Sequence, residues 1–369
     1  MRQGVNLIGY ARAESGLGEA CRSAARALQA AEIPFCIINM ETCPARKNDL
    51  SWIHKEAKSP LYNTNLFMIN ADQLYSNYKR NFIRRSWFAK RYNIGFWHWE
   101  LPEFPHRWMS GLTIVDEVWV PSKFTQNSIS KKSSKPVLCF PHSISIDPPA
   151  HMNRQYWGLP EDRFLFLMMY DTQSTSARKN PLAVINAFQQ AFQPNDPSIG
   201  LVIKINNASH FPEQVETLKQ TISGFDPIFI IDRIVSRSEV NGLIASCDSY
   251  VSLHRSEGFG LPMAEAMFLG KPVIATKWSG NMDFMNEENA CLVDFTLQKI
   301  GERYGPYAAD QLWAEPNIDQ AALFMKRITE DRDFAGKIGE NGKSTIIGQY
   351  SPQAIGERYQ ARLQQLGLL

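Results

Sequence analysis

Residues 252–276 read SLHRSEGFGLPMAEAMFLGKPVIAT and predict a strand, a loop, a helix and a second strand in close succession. The apolar run that ends at Leu253 predicts the first strand. Pro262 is typical of the first turn of a helix, and Gly270 of the left-handed residue that follows the last turn. A loop at the carboxyl end of a parallel strand is where open α/β sheets bind ligands. Residues 254–260 are therefore predicted to form a ligand-binding loop.

The same alternation of short apolar runs and longer helical stretches extends over the 369 residues of the chain, of which 44% are hydrophobic and 21% charged. Most of the runs lack a period of two, so both of their faces are expected to be buried, as in a parallel sheet covered by helices. Two blocks of this pattern predict an α/β protein of two Rossmann-like, doubly wound domains that face each other across a cleft. The predicted strands are Val5–Tyr10, Phe35–Met40, Leu66–Asn70, Ile94–Trp97, Glu117–Val120, Val137–Phe140, Phe164–Met169, Leu201–Ile205, Ile228–Ile231, Tyr250–Leu253, Val273–Ala275 and Cys291–Val293.

The domain boundary is predicted in the proline-rich stretch 143–163, where periodicity is lost. This gives a first domain over 1–150 and a second over 160–350. The final segment, 353–366, is predicted to be an amphipathic helix that packs back on the first domain.

Two glycines and two glutamates make the loop after Leu253 a candidate site. Gly258 and Gly260 let the backbone approach an anion closely, and the following helix offers free N–H groups. Glu257 precedes the glycines and Glu265 lies one turn into the helix, so the two carboxylates are placed to hold opposite ends of an elongated ligand. The structural alternative is a tight turn followed by a capped surface helix.

Glu257 and Glu265, separated by seven residues within EGFGLPMAEAM and followed by GKPVIAT, resemble the motif of the family 4 retaining glycosyltransferases, which have the two-domain GT-B fold. The resemblance is weaker over the rest of the chain and favours the subgroup of bacterial polysaccharide and O-antigen transferases. Further matching stretches are WELPEFP (99–105), DEVWVPS (116–122), RKNP (178–181), SGNMDFM (279–285) and WAEP (313–316).

The resemblance implies that the second domain binds a nucleoside-diphosphate sugar and the first domain a glycan or lipid-linked acceptor. It assigns Glu257 to the hydroxyls of the donor sugar and Glu265 to the ribose. The backbone that it places against the sugar and the diphosphate is that of Phe259, Gly260 and Leu261.

Arg178 and Lys179 are the candidate diphosphate ligands, and the resemblance gives that role to a basic pair at this place. Two cations beside a helix that begins near Asn180 and Pro181 are unfavourable for the helix dipole, and a bound diphosphate would compensate them. A solvated charge pair is the alternative. In most relatives the arginine precedes the lysine by several residues, so which cation contacts which phosphate is left open.

In the first half, Gly16 and Gly18 resemble the family's glycine loop at the cleft, although a plain tight turn needs the same residues. His98 and Glu100 follow a central strand, where many relatives have a histidine near the reacting sugar. Alternation along a strand predicts that their side chains share one face. The alternatives are a buried core histidine and a helix-capping glutamate. For His142 we expect a hydrogen bond at the hinge.

Two further segments carry expectations. Asn281 and Asp283 are predicted to open a helix that faces the cleft, either as caps or as ligand contacts. The stretch 78–92 has six basic residues, no acidic residue and no clean apolar stripe. It is predicted to be a solvated basic helix rather than a membrane-binding one.

Composition bounds the remaining function classes. No D-x-D triplet occurs in a suitable loop and the six cysteines form no C-x-x-C pair, so we expect no metal and no cofactor. Residues 1–155 carry a net charge of +8 and the remainder −6. This asymmetry leaves peripheral membrane association open as an alternative to ordinary variation. We expect a cytoplasmic protein, with the inner face of the membrane as a second location, and no nucleic acid partner. A nucleotide-sugar epimerase, a phosphorylase and a non-catalytic nucleotide-sugar-binding subunit remain as alternative functions.

Overall fold

The computed structural model describes all 369 residues and divides the chain into two compact units. The first consists of Met1–Ser145 together with Gly348–Leu369, and the second of Ile146–Ile347. The boundary at residues 145–146 lies inside the proline-rich stretch that the sequence analysis marks as a linker.

The first unit contains a six-stranded parallel sheet with the order β2-β1-β3-β4-β5-β6. The order reverses between β1 and β3, which makes their carboxyl ends the switch point of this sheet. Its strands are β1 Arg2–Gly9, β2 Phe35–Asn39, β3 Tyr62–Met68, β4 Tyr92–Phe96, β5 Glu117–Val120 and β6 Val137–Cys139, and its helices before the boundary are α1 Gly16–Ala30, α2 Ala71–Lys79, α3 Arg85–Phe88 and α4 Lys123–Ser130.

The second unit repeats the architecture with the order β12-β11-β10-β7-β8-β9, so its switch point lies between β7 and β10. Its parallel strands are β7 Phe164–Asp171, β8 Ile199–Asn206, β9 Ile228–Asp232, β10 Ser249–Ser252, β11 Val273–Thr276 and β12 Cys291–Val293. Its helices are α5 Arg154–Trp157, α6 Ser176–Lys179, α7 Pro181–Ala191, α8 Pro212–Thr221, α9 Arg237–Ser246, α10 Leu261–Phe268 and α11 Ile318–Glu330.

The chain returns from the second unit to the first within helix α12 (Arg332–Tyr350), at Gly348, and helix α13 (Pro352–Gln365) belongs to the first unit. The buried face of α13 packs against α1. At Gly356 an added Cβ would lie 2.3 Å from the carbonyl oxygen of Ala27, so the glycine permits the close approach of the two helices. The buried residues of α13 are Ile355, Gly356, Tyr359 and Leu363.

All twelve predicted strands are present, two of them, Glu117–Val120 and Cys291–Val293, with identical bounds. Their apolar residues are buried on both faces, because helices cover both sides of each sheet. The sequence analysis missed an antiparallel hairpin that follows β12, formed by β13 Phe295–Lys299 and β14 Leu312–Pro316.

The expectation of one basic helix over 78–92 is wrong. Helix α2 ends at Lys79, because Asn81 adopts a left-handed conformation (φ 59°) and the N–H groups of Phe82 and Ile83 both bond back to the Asn77 carbonyl. The chain then forms the single turn α3 and enters β4 at Tyr92. None of the protein's helices combines the length and the apolar character that crossing a bilayer requires.

Candidate functional site in the second unit

The switch point of the second sheet brings together the three charged residues that the sequence analysis singles out most strongly. Arg178 and Lys179 follow β7, and Glu257 follows β10. The Lys179 ammonium bonds to Oε1 of Glu257, and Nη1 of Arg178 lies 3.2 Å from the same oxygen. One carboxylate therefore serves two cations, and the cluster has a net positive charge.

Glu257 is ionised although only 8% of the residue is exposed. Burial alone raises the pKa of a carboxyl group, but the neighbouring cations Lys179 and Arg178, with a smaller contribution from His254, lower the pKa of Glu257 to about 2. A buried charge is tolerated only with such partners. The excess positive charge of the cluster is suited to an anionic ligand.

Arg178 is held by more than its carboxylate partner. Its Nη1 donates to the Ser256 carbonyl at 2.7 Å and its Nη2 to Oγ of Ser174 at 2.8 Å. The basic pair lies directly before α7, which begins at Pro181 as the sequence analysis expects, and it forms the last two residues of the four-residue turn α6. Thr175 and Asn180, which flank this turn, both have positive φ, and such backbone strain is concentrated at functional sites.

The glycine loop has the predicted form. Gly260, with φ at 100°, turns the chain into α10, which begins at Leu261 with Pro262 in its first turn. A residue with a Cβ is rarely found in this conformation. The Phe259 side chain is buried against Phe284, with 5.1 Å between ring centroids, so Phe259 has only its backbone to offer a ligand.

Gly258 lies next to a second close approach. A Cβ added at Gly280 would lie 2.2 Å from the Gly258 carbonyl oxygen. The neighbouring Ser279 accepts the backbone N–H of Glu257 at Oγ, at 2.8 Å, and the Gly280 N–H donates to the Glu257 carbonyl at 2.9 Å. The segment after β11 thus fixes the backbone on which Glu257 is carried.

Glu265 lies on α10 and forms an ion pair with Arg237 of α9, with 2.7 Å between Nη2 and Oε1. Glu265 is 3% exposed. The sequence analysis did not identify Arg237, because its pairing depends on the packing of α9 against α10 and follows no local pattern.

Arg255 is a second residue that the sequence analysis missed, although it lies inside the quoted loop. Its guanidinium contacts both carboxylate oxygens of Glu315 at 2.6 and 3.2 Å, lies over the Trp313 ring, and donates to the Ala177 carbonyl at 2.7 Å. Glu315 and Trp313 belong to the hairpin strand β14, and Ala177 belongs to the turn that carries the basic pair. Arg255 therefore connects the hairpin to the backbone of the charged cluster.

Asn281 does not open a helix toward a ligand. It is fully buried in a short 3-10 turn, where its amide donates to the Thr276 carbonyl and its Oδ1 lies 3.1 Å from Nε2 of His254. Burial lowers the pKa of His254. The contact between Asn281 and His254 joins the turn of residues 280–283 to the loop after β10, and Asp283 is the last residue of that turn.

The candidates of the first unit form a separate arrangement. Strand β4 ends at Phe96, so His98 and Glu100 lie in the loop beyond it, and the prediction from strand alternation is wrong for them. Nε2 of His98 lies 3.0 Å from Nε2 of His142, and Asn70 accepts the His98 backbone N–H at 2.8 Å. Glu100 is half-buried in the same loop. The partner of His142 is thus a second imidazole within its own unit.

Burial lowers the pKa of His98 to about 4, and burial together with the neighbouring His98 lowers the pKa of His142 well below its ordinary value. Two neutral imidazoles bond when one ring nitrogen donates and the other accepts. The pair is uncharged at neutral pH, in contrast to the charged cluster of the second unit.

Gly16 and Gly18 differ in their constraints. A Cβ at Gly18 would lie 1.9 Å from the Ala13 carbonyl oxygen, so this glycine is required by local packing, while space around Gly16 is open. Both lie in the first turn of α1, which Ser15 caps. No group of three or more His, Cys, Asp or Glu side chains in the protein is arranged to hold a metal ion.

Two Rossmann-like domains with parallel sheets, the second with a cationic switch point, define the GT-B class of fold. The sequence profile described as "Glycosyl transferases group 1" matches residues 152–345, more than half of the chain. The protein belongs to this family.

Individual relatives are distant in sequence. The chain is 21% identical over 272 residues to "Uncharacterized glycosyltransferase YqgM" of Bacillus subtilis (strain 168), covering 69% of this chain and 64% of that protein. It is 26% identical over 124 residues to "Lipopolysaccharide core biosynthesis glycosyltransferase LpsE" of Rhizobium meliloti (strain 1021), covering 33% of this chain and 31% of that protein. The chain thus spans less than two thirds of the length of these relatives.

Solved structures show the same fold over nearly the whole chain. Anabaena Alr3699/HepE, determined in complex with UDP and glucose, superposes with a TM-score of 0.68 at 14% identity, covering 99% of this chain and 100% of HepE. Sucrose-phosphate synthase from Thermosynechococcus elongatus gives a TM-score of 0.71 at 16% identity, with 99% of each chain covered.

Proposed function

We propose that the protein is a retaining glycosyltransferase of family 4 that transfers a sugar from a nucleoside-diphosphate sugar to a glycan, lipid-linked or protein acceptor in bacterial polysaccharide synthesis. The observation that carries this proposal is the buried cluster of Arg178, Lys179 and Glu257 at the switch point of the second unit. HepE has been solved with UDP and with UDP-glucose, which makes a uridine nucleotide the first donor to test. Retention rests on the resemblance of the Glu257–Glu265 motif.

In the proposed reaction the bond between the anomeric carbon and the diphosphate oxygen breaks, and its electron pair stays on the leaving diphosphate. Arg178 and Lys179 stabilise the negative charge that develops there, together with the N–H groups at the start of α10. Positive charge develops on the sugar ring at the same time, an acceptor hydroxyl oxygen bonds to the anomeric carbon, and the proton of that hydroxyl passes to the leaving diphosphate. The carboxylate of Glu257 stabilises that charge and accepts hydrogen bonds from sugar hydroxyls.

Glu265 then holds the ribose hydroxyls at the other end of the donor, and the backbone of Gly258, Phe259, Gly260 and Leu261 lies along the sugar and the diphosphate. For His98 or Glu100 we propose a place near the reacting sugar, and for the loop of Gly16 and Gly18 a contact with the ligand. The acceptor is assigned to the first unit.

The cationic pair takes the place of a metal ion in this proposal. Transfer should therefore persist in excess EDTA, and activity that is lost with EDTA and restored by Mg²⁺ or Mn²⁺ contradicts it. We place the reaction in the cytoplasm, with the inner face of the membrane as the site of a lipid-linked acceptor.

Lys179→Ala is the sharpest test of the diphosphate site. Arg178 bonds to Ser174 and to the Ser256 carbonyl, so its removal disturbs the loop itself, whereas the Lys179 ammonium bonds to the Glu257 carboxylate. The loss of one charged hydrogen bond should weaken UDP binding roughly tenfold or more by calorimetry. The exposed Lys326→Ala is the matched control. Unchanged UDP affinity in Lys179→Ala rejects the assignment.

Product analysis with a donor that binds separates the remaining functions. Transfer to an acceptor supports the proposal. Conversion of the donor sugar to its epimer indicates an epimerase, and binding without turnover indicates a non-catalytic subunit.

A further inference from the structure

A cavity of about 420 Å³ lies within the first unit, beyond the carboxyl ends of β1 and β2. Its volume is in the range of small-ligand pockets, which begins at roughly 300 Å³. The residues that line it take no part in the charged cluster of the second unit or in the His98–His142 pair. Because all of them belong to the first unit, the cavity does not depend on how the two units are arranged.

One wall of the cavity is a fixed array of hydrogen-bonding groups. Arg12 forms a two-point contact with Glu56, with 2.8 Å from Nε to Oε1 and 2.5 Å from Nη2 to Oε2. The Arg12 backbone N–H donates to Oδ1 of Asn39 at 3.1 Å, and Nδ2 of Asn39 donates to Glu41 at 2.7 Å. Paired groups of this kind hold donors and acceptors in defined positions.

Two aromatic residues also line the cavity, together with Arg12 and Glu56. Phe82 lies in the turn between α2 and α3 and is 55% exposed, and Trp87 in α3 is half-buried. The electron-rich face of an aromatic ring attracts polarised C–H groups and excludes water from apolar surface.

The charges of the cavity balance. Arg12 and Lys58 line it together with Glu41 and Glu56, two cations and two carboxylates. Four exposed cations lie close in sequence to Phe82 but do not line the cavity: Lys79, Arg80, Arg84 and Arg85. A diphosphate needs an excess of positive charge when it leaves water, and this cavity supplies none.

We propose that this cavity binds a neutral sugar ring of the acceptor. A sugar ring has an edge of hydroxyl groups, which pair with the Arg12–Glu56 array, and a face of C–H groups, which packs on Phe82 or Trp87. The inference rests on the proposed transferase function and deepens it, because it selects a glycan among the acceptor classes.

The experiment is a binding measurement on the full chain with methyl glycosides of glucose, galactose, mannose and N-acetylglucosamine at millimolar concentration, with UDP present. Saturation-transfer NMR should show contact at the C–H protons of at least one of them. Phe82→Ala and Glu56→Gln should each weaken that binding by roughly three- to tenfold. UDP affinity should not change. The exposed Leu323→Ala in α11 is the matched control for Phe82→Ala, and Trp87→Phe should retain most of the binding.

Two results overturn the proposal. One is the absence of contact from every glycoside, and the other is binding of inorganic pyrophosphate that Phe82→Ala leaves unchanged but Lys58→Ala abolishes. Both leave the transferase proposal intact as long as UDP binds the second unit. Failure of UDP to bind at all rejects the proposed function itself.

Discussion

Strand ends at corresponding edges of the two sheets carry different chemistry. In the second unit, Arg178, Lys179 and Glu257 form a largely buried cluster of three charges beyond β7 and β10. In the first unit, a pair of uncharged imidazoles, His98 and His142, lies beyond β4 and β6; His98 is half-buried and His142 is buried. These two strand ends are therefore polar through neutral hydrogen bonds, whereas those of β7 and β10 are polar through ion pairs.

The difference reflects the cost of burying charge. A buried carboxylate stays ionised only beside cations, and the Glu257 cluster has one cation in excess. The imidazole pair has no acidic partner that outweighs burial, so both rings lose their protons. We infer that the charged cluster of the second unit is suited to a charged leaving group and that the His98–His142 pair is not. The predictions below test that division.

Glu257→Gln should give the largest effect. The amide keeps the shape of the side chain but removes the negative charge that is to face the sugar in the transition state. Turnover should fall by about 10²–10³, the range seen when one electrostatic stabiliser is removed. UDP affinity should stay equal or rise, because both cations are freed for the diphosphate.

Steady-state kinetics and calorimetry check this, with the exposed Glu330→Gln as control. Loss of UDP binding in Glu257→Gln, with unchanged UDP binding in Glu265→Gln, would reverse the roles proposed for the two glutamates.

Acidification should disrupt the His98–His142 pair before it disrupts the ion pairs of Glu257. The folded pKa of His98, about 4, lies below its ordinary value of 6.5, so its stabilising contribution is present above pH 6.5 and is lost as pH falls toward 4. That loss amounts to at most about 3 kcal/mol. The folded pKa of Glu257, about 2, lies below its ordinary value of 4.5, so its contribution is lost only between pH 4.5 and 2.

Hydrogen exchange measured peptide by peptide between pH 7 and 4.5 should therefore show opening in β4 and its following loop. The loop after β10 is not a reference in this range, because burial also lowers the pKa of His254. His98→Gln should remove part of the pH dependence at β4, and the exposed His151→Gln should leave it unchanged. Unchanged protection of β4 and its loop over this range contradicts the prediction.

The sequence predicts the parts of the fold and site that depend on local pattern. Apolar runs identify all twelve strands of the two sheets, and the left-handed conformation of Gly270 follows from its place after the last turn of a helix. The cluster of Glu257 with Arg178 and Lys179 could be anticipated only in part. The basic pair follows the end of one strand and Glu257 the end of another, but their direct contact depends on β7 and β10 being neighbours.

What the sequence does not reveal are interactions between elements far apart in the chain. The hairpin of β13 and β14 has strands separated by a long loop, so no short turn signal marks it. Arg255 forms an ion pair with Glu315 on that hairpin, and Arg237 forms one with Glu265 on another helix, and no local pattern predicts either pair. The basic stretch at 78–92 was misjudged because Asn81 breaks the helix that its composition favours.

Glu265→Gln should weaken binding of both UDP and the intact donor. Loss of a hydrogen bond to a charged group corresponds to about 1.5–3 kcal/mol, or roughly ten- to a hundredfold in affinity. The variant also removes the ionic partner of Arg237, so Arg237→Gln is measured beside it to separate the two effects. UDP affinity that is unchanged in Glu265→Gln removes this residue from the nucleotide site.

The smallest effect concerns Ser279, which fixes Glu257 through the backbone. Its φ and ψ of 80° and −148° belong to a region that glycine occupies readily and other residues rarely. Its Oγ accepts the Glu257 N–H at 2.8 Å. Ser279→Ala loses this bond and keeps the strain, whereas Ser279→Gly loses the bond and relieves the strain. The glycine variant should therefore be more stable than the alanine variant by about 1 kcal/mol in urea unfolding.

Both substitutions should lower turnover several-fold and by similar factors, because both release the backbone that carries the Glu257 carboxylate. UDP affinity should change little, since Lys179 and Arg178 are held from α6. The two measurements thus separate two effects at Ser279. The difference in unfolding free energy between Ser279→Gly and Ser279→Ala reports the backbone strain. The loss of turnover that both variants share reports the positioning of Glu257. If Ser279→Gly retains full turnover, the hydroxyl does not position Glu257, and the ion pairs of the cluster with the Gly280 hydrogen bond are enough to hold it.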